Sequence, residues 1–200
     1  MKKKLLLPLL LAGGLCSTPA FAETYVSGSV GLGMMGKSDA SSAAGTQKDA
    51  IEYKAGVPFG VALGYKANEY RAEVAVGYQS NSVDKSWNGT TMATATDTDV
   101  TTLSVMANGY RDFAIKDSGV SPYVMAGVGM ASIKAKDATT TMIDKSVFAW
   151  QLGTGVGLKA SDKVVVDLGL RYFKPSNVKD GGTEITCSSM NVLAGVRYSF

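Results

Sequence analysis

The strongest constraint in this sequence is an alternation of apolar residues with small or polar residues at a period of two. The clearest example is Ser189–Phe200, in which one row is wholly apolar and the other is small or polar apart from Leu193. Successive side chains of a β-strand point to opposite faces, so the alternation predicts a strand whose two faces contact different solvents. In a soluble protein, an apolar, aromatic strand left at the edge of a sheet promotes aggregation. In a membrane barrel, such a strand can pair with the first strand and close the wall.

The same alternation recurs along the chain and predicts eight strands. They span residues 24–35, 51–66, 70–81, 100–110, 122–133, 147–159, 164–173 and 189–200. Long polar connections, at about 36–50, 82–99, 134–145 and 174–188, alternate with mostly shorter ones. Pro58 interrupts the second run, and we expect a bulge or irregular pairing there because proline cannot donate to a ladder. Strand number, strand length and loop alternation together predict an all-β, eight-stranded, antiparallel barrel that spans a membrane.

The residues opposite the apolar rows indicate which face is inside. Those rows are dominated by glycine and alanine and also hold charges of both signs, namely Glu52, Lys54, Arg71, Glu73, Lys159, Asp167, Arg171 and Arg197. Glycine suits the narrow interior of a small barrel, and an Arg or Lys facing lipid costs roughly 2–4 kcal/mol at mid-membrane. We therefore predict that the apolar rows face lipid and that these eight residues form a structural charge network in the lumen. A soluble lipocalin-like barrel would have the opposite arrangement.

Two further predictions follow from this assignment. If the last two strands pair with their ends level, Val164 lies near Phe200 and Asp167 lies opposite Arg197 as a buried ion pair, with Arg71 and Glu73 at a similar height. Separate hydration of these charges in the lumen remains the alternative. Interfacial aromatic girdles are predicted from Tyr53, Tyr65, Tyr70, Tyr78, Tyr172, Tyr198 and Phe200.

Residues 1–22 have the features of a signal peptide. Three lysines precede an apolar segment, and Ala20 and Ala22 supply the small residues that signal peptidase reads. Lipidation at Cys16 is disfavoured because bulky Leu15 precedes it. The barrel domain is then expected to comprise residues 23–200. The formal charge of +3 comes from the three leader lysines, so the mature chain is neutral and gives no support for nucleic-acid binding.

Four segments, at residues 108–113, 122–129, 151–157 and 194–200, carry a resemblance to a known family. Their order and spacing resemble the outer-membrane β-barrel family that includes opacity-type surface proteins and the OmpA-type transmembrane domain, over the whole mature chain. The resemblance implies an up-and-down barrel in the outer membrane of a Gram-negative-type bacterium, without a cofactor. Gly195, Tyr198 and Phe200 also resemble the signal by which the barrel-assembly machinery recognises its clients.

The sequence offers little support for catalysis. The chain has no histidine, which excludes Ser-His and Cys-His catalytic pairs and histidine metal sites. A G-x-G-x-x-G match at residues 31–36 lies within a strand rather than at a strand-to-helix turn, so dinucleotide binding is disfavoured. We expect a monomeric surface protein with a structural or adhesive role, whose four loops contact a host, matrix or neighbouring-cell surface. A narrow pore is the main alternative, and an outer-membrane lipid-modifying enzyme is the third.

Overall fold

The computed structural model describes residues 22–36, 38–42, 45–87, 92–94, 99–136, 141–180, 183–185 and 187–200. The predicted signal peptide, including Ala20, lies outside these ranges except for Ala22. The described residues form β1 (Ala22–Met35), β2 (Ser38–Ser42), β3 (Gly45–Tyr53), β4 (Val57–Ala67), β5 (Tyr70–Trp87), β6 (Met92–Thr94), β7 (Asp99–Asp112), β8 (Val120–Lys136), β9 (Thr141–Lys159), β10 (Val164–Pro175), β11 (Val178–Asp180), β12 (Thr183–Ile185) and β13 (Ser189–Ser199). Within this part of the chain, no helix is long and apolar enough to cross a membrane.

Eight of these strands close into an antiparallel barrel in the order β1, β4, β5, β7, β8, β9, β10 and β13, with β13 pairing β1. The predicted fold is confirmed. The paired residues can be followed once around the wall, starting at Tyr25 of β1. The path returns to β1 at Met35 after passing through Gly64, Glu73, Asn108, Gly127, Gln151, Phe173 and Ser189. The pairing is therefore staggered by ten residues, from position 25 to position 35, and such a stagger tilts the strands by roughly 35–45° from the barrel axis.

The two ends of the barrel differ. One end, called the turn end, holds the start of β1, the end of β13 and the short connections 68–69, 113–119 and 160–163. The other, called the loop end, holds the four longer connections, which the sequence predicts to be polar loops. Their described parts are largely strands. There β12 pairs with β2, while β3 and β6 pair with β5, so strands of the first, second and fourth connections share one sheet.

The outer surface of the wall carries an apolar band. Alternate side chains along each barrel strand are apolar and exposed, as at Leu32 (62%) and Val61 (64%). Aromatic pairs border the band: Phe59 and Tyr78 have ring centroids 4.9 Å apart, and Tyr198 and Phe200 have theirs 5.7 Å apart. An exposed apolar surface this continuous is unfavourable in water and matches the lipid-facing band of a membrane barrel.

Beyond the band, at the loop end, the polarity of the wall reverses. The outward positions become polar, as at Ser82, Asp84 and Ser146. The inward positions become apolar and form two clusters: Val83, Val100 and Ile133 with Met35, Tyr53 and Val147, and Met106, Ala131, Ala149 and Phe173. The sequence prediction of a small or polar inward row is therefore incomplete. The loop-end part of the barrel has the core of a soluble protein because its outside contacts water rather than lipid.

Glycine on the inner wall makes room for large lumen side chains. Tyr25 pairs with Gly64, Asn108 with Gly127, Met106 with Gly129 and Tyr123 with Gly155 across neighbouring strands. In each pair, a Cβ atom added to the glycine would collide with the partner's side chain. Large residues therefore lie over glycines because an eight-stranded barrel has room for only one of the two side chains.

The second predicted strand, residues 51–66, differs from the structure. It is divided between β3 and β4, and the register shifts between Glu52 and Tyr53. Pro58 itself lies in a regular ladder opposite Gln79, so the bulge expected at Pro58 is found upstream instead. Lys54 and Ala55, which lie between β3 and β4, are both exposed, so the alternation of inward and outward residues is broken there. The interfacial position predicted for Tyr53 is thus wrong, since Tyr53 packs against the inner apolar cluster.

We predict that Leu168→Arg, in the outward row of β10, lowers the free energy of unfolding by roughly 2–4 kcal/mol because it places a cation in the acyl region. Urea unfolding in phospholipid vesicles measures this change. Ser146→Arg is the matched control, since Ser146 is also outward but lies beyond the apolar band. Equal losses in the two variants would contradict the lipid-facing assignment.

Candidate functional site

A buried carboxylate lies at the centre of a polar network in the lumen. Glu73, on β5, accepts hydrogen bonds from the Tyr25 hydroxyl at 2.7 Å and from the Tyr110 hydroxyl at 2.6 Å. Arg71 Nη1 lies 3.7 Å from the same carboxylate. The three contacts come from β1, β7 and β5, so Glu73 joins three strands of the wall. A buried charge is tolerated only when it is paired and hydrogen-bonded in this way.

Arg71 makes the most extensive ion pair of the network. Its Nε lies 2.9 Å and its Nη2 2.8 Å from oxygens of Asp112, and both side chains are almost fully buried. The guanidinium also lies over the Tyr110 ring, 4.1 Å from the centroid. The planar fork of arginine suits such two-point binding of a carboxylate, with an aromatic ring covering its face. This pair closes the lumen near the turn end.

A second ion pair joins the last two barrel strands. Arg197 Nε donates to Asp167 at 2.6 Å, and Arg197 Nη2 donates at 3.1 Å. The ladder differs from the predicted register by two residues, because Val164 pairs with Tyr198 rather than Phe200 and Asp167 pairs with Gly195. The two side chains therefore meet diagonally, which long side chains on one face of a sheet can do.

Three of the predicted network residues do not reach the lumen interior. Lys54 extends outward and lies 3.8 Å from Asp84, while Glu52 lies at the loop-end rim, 3.9 Å from Lys85. For Lys54, the cause is the break in alternation between β3 and β4, where Lys54 and the neighbouring Ala55 are both exposed. Lys159 ends β9 at the turn end and lies 2.8 Å from Asp162 in the exposed turn. That contact holds the pKa of the Asp162 carboxyl below its usual range.

Arg171 is inward but stands apart from both ion pairs. It borders a lumen cavity of about 110 Å³, which lies among Ser27, Ser29 and Gly60 on one side and Tyr123 and Asn191 on the other. Asn191 is buried, and its side-chain oxygen has no hydrogen-bond partner in the described part of the protein. A polar cavity of this size suits a few water molecules.

Several members of the network have only weak sequence signals. Asp112 falls in a segment that the sequence predicts to be a turn, yet it ends β7 and binds Arg71. Tyr25 lies on the small-residue row of its strand, and it is almost fully buried. The alternation does carry a signal for both residues. Asp112 lies on the same face of its strand as Asn108 and Tyr110, and Tyr25 lies on the same face as Ser27.

The residues that resemble an assembly signal lie on the closing strand. Tyr198 and Phe200 are exposed at the turn end, and the Phe200 backbone N–H donates to the Thr24 carbonyl at 3.1 Å. Gly195 faces the lumen next to Ser29 of β1. In the described ranges, no group of three or more Cys, Asp or Glu residues is arranged to hold a metal ion.

Comparison with known proteins shows which protein family and which solved structures this barrel resembles. The family model of the outer membrane protein beta-barrel domain matches residues 9–200. Outer membrane protein PagN of Salmonella typhimurium is 28% identical over 116 residues, which are 48% of each chain, so the matched region spans about half the length of that relative. The structure of Neisserial surface protein A covers 88% of this chain and 97% of its own, with a TM-score of 0.62 and 22% identity. That of OprG from Pseudomonas aeruginosa covers 90% and 96%, with a TM-score of 0.67 and 13% identity.

We predict that Asp112→Ala lowers the free energy of unfolding by about 3–5 kcal/mol, because it removes the two-point partner of the buried Arg71 guanidinium and leaves only the longer contact with Glu73. Urea unfolding of the refolded barrel measures the loss. Glu69→Ala serves as the control, since Glu69 forms an exposed pair with Arg111 at 3.8 Å, and such pairs contribute at most about 1 kcal/mol. A loss for Asp112→Ala no larger than that for Glu69→Ala would contradict a tightly packed lumen.

Proposed function

Because the chain belongs to the outer membrane protein beta-barrel domain family and lies in the Gram-negative outer membrane, we propose that it is a non-enzymatic surface protein. In this proposal, the barrel holds the four loop-end connections at the cell exterior, where they adhere to a host, matrix or neighbouring-cell surface. Short turns of such barrels are periplasmic and long loops are extracellular. The barrel acts as a monomeric support, and the loop end carries the recognition.

The observation that carries this proposal is the organisation of the loop end. Strands of three connections join one sheet through β12–β2, β3–β5 and β5–β6 pairing, and the β8–β9 hairpin rises beside them as a further pair of strands. Ordered backbone at this end supports recognition, since binding residues concentrate on loops that a rigid scaffold positions. The relatives named above are consistent with a surface role.

A pore is the rival function, and the filling of the lumen argues against it. The Arg71–Asp112 pair and Glu73 occupy the turn-end side of the cavity, while buried Met106 and Phe173 belong to the apolar cluster on the loop-end side. The cavity of about 110 Å³ lies between these two layers. Ions would have to displace both a paired charge network and an apolar layer.

The arrangement of the lumen carboxylates supports a structural rather than a catalytic role. Glu73 is held by two tyrosine hydroxyls, Asp112 by Arg71 and Asp167 by Arg197. A general acid or base must be free to exchange a proton with a substrate. These groups are instead committed to contacts across strands. A lipid-modifying activity that is lost on mutating Glu73 or Asp167 would overturn this part of the proposal.

The proposal includes the biogenesis expected for such a protein. Residues 1–22 direct export and are removed after Ala22, and the barrel-assembly machinery then recognises Gly195, Tyr198 and Phe200 on the closing strand. The exposed aromatic pair Tyr198 and Phe200 at the turn end supports this role. Outer-membrane lipid is the permanent partner of the apolar band, and no nucleic acid is involved.

We predict that replacing residues 38–50 and 178–185 with short Gly/Ser linkers reduces binding of expressing cells to cultured epithelial monolayers and matrix-coated surfaces by at least about tenfold, because the β2–β12 pair is removed. The barrel itself should remain folded, as judged by its mobility shift on heating in detergent gels and by surface labelling. A variant with residues 160–163 replaced in the same way is the matched control, because that turn lies at the opposite end.

Conductance separates the adhesive and pore functions. The purified wild-type barrel in planar bilayers should give no sustained channels, because the lumen is blocked by two packed layers. Discrete, sustained channels at high frequency would contradict the proposed adhesive function. Undiminished attachment of cells that carry the loop-replaced variant would also overturn it.

A further inference from the structure

Arg171 differs from the other two arginines that reach into the lumen. Arg71 binds Asp112 and Arg197 binds Asp167, each at two points. The Arg171 guanidinium, which is half-buried on β10, forms no hydrogen bond and no ion pair with any residue that the structure describes. A guanidinium carries five N–H donors and keeps its charge, so removing it from water without an acceptor is costly.

The remaining lumen carboxylate does not supply this acceptor. The charge of Glu73 balances that of Arg171 in the lumen as a whole, but its oxygens are already engaged. They accept from the hydroxyls of Tyr25 and Tyr110, and they lie 3.7 Å from Arg71. The contacts, rather than the count of charges, therefore leave Arg171 without an acceptor in the described lumen.

The cavity beside Arg171 offers further polar groups. Ser27 and Ser29 of β1 line the same cavity of about 110 Å³, and neither hydroxyl has a hydrogen-bond partner in the described ranges. Asn191 pairs with Arg171 in the β10–β13 ladder and is 5% exposed, with a side-chain oxygen that lacks a donor within the same ranges. Buried polar atoms are almost always bonded, so this cavity suits a polar ligand accompanied by water.

We propose that the lumen cavity binds one small monovalent anion of the size of chloride, held by the Arg171 guanidinium with the Ser27 and Ser29 hydroxyls beside it. Guanidinium and hydroxyl groups are hydrogen-bond donors, which an anion requires, and bonds from a charged donor are the stronger kind. A water molecule that contacts the anion can donate to the Asn191 oxygen. This inference goes beyond the adhesive function and does not depend on it.

The size of the cavity and the nearby charges restrict the anion. The cavity lies between the ion-pair layer and the apolar layer that contains Met106 and Phe173. It has room for a few water-sized species, so large organic anions do not fit. Asp167 and Glu73 also line it, and they would repel a second negative charge strongly because little water screens them.

Anomalous scattering can locate the anion directly. The full barrel is refolded and crystallised in bromide, so that the anion is present while the lumen closes. We expect an anomalous peak in the cavity, in contact with the Arg171 guanidinium. A cavity that contains only water, or a guanidinium that binds Glu73 instead of an anion, would overturn the proposal.

A solution experiment tests whether the anion stabilises the fold through Arg171. Chloride is exchanged for gluconate at constant ionic strength, and the barrel is unfolded with urea at each composition. At about ten times its dissociation constant, chloride should lower the unfolding equilibrium constant of the wild type about tenfold, because it binds the folded state alone. For Arg171→Met, which keeps the length of the side chain and removes its donors, we expect a change of less than about twofold.

Lys174→Met is the matched control for loss of a positive charge on β10. Lys174 pairs with the exposed, outward Trp150, so it lies on the opposite face of the strand from the cavity. This variant should keep the full chloride dependence, whereas equal dependence in the wild type and Arg171→Met would contradict the proposal. If Arg171→Met fails to refold, the bromide peak of the wild type decides the question alone.

Discussion

The placement of acyl chains against one face of every barrel strand is the constraint on which the rest of the structure depends. Water cannot satisfy backbone groups in that layer, so the strands must pair with one another until the sheet closes. Closure from eight strands leaves a narrow lumen, which glycines such as Gly64 and Gly155 widen locally for Tyr25 and Tyr123. Once the wall rises above the lipid, the same strands change to a polar outside and an apolar inside, as any soluble sheet requires.

The lumen network follows from the same constraint. Charges of both signs are confined in a space that excludes most water, which favours pairing across the barrel. Arg71 with Asp112 and Arg197 with Asp167 do so as two-point ion pairs, and Glu73 does so through two tyrosine hydroxyls. Buried pairs contribute little net stability over well-packed apolar residues, although loss of one partner is costly. These contacts close the lumen. They link β1, β5 and β7 to one another and, separately, β10 to β13.

The sequence alone is sufficient to predict the number of barrel strands and their outward apolar rows, because alternation with a period of two is a local property. Features that depend on tertiary pairing were not predictable in this way. The break in alternation at Lys54 and Ala55 turns Lys54 outward, and the two-residue difference in register between β10 and β13 follows from the closure of the whole wall. Asp112 continues the inward row of Asn108 and Tyr110 but lies beyond the predicted end of the strand, and its ion pair with Arg71 depends on strand pairing. The apolar interior of the loop end, around Val83 and Ile133, depends on how far the strands rise beyond the lipid.

Two neighbouring residues of the closing strand offer the most direct test of this account. Val192 is 47% exposed on the outer wall, whereas Leu193 is 9% exposed inside the lumen. Solid-state NMR of the barrel in lipid bilayers, with valine and leucine methyl groups labelled, can measure the transfer of magnetisation from acyl-chain protons to each side chain. We expect rapid transfer to Val192 and little direct transfer to Leu193. Rapid transfer to Leu193 with little transfer to Val192 would show that the two faces of the wall have been assigned the wrong way round.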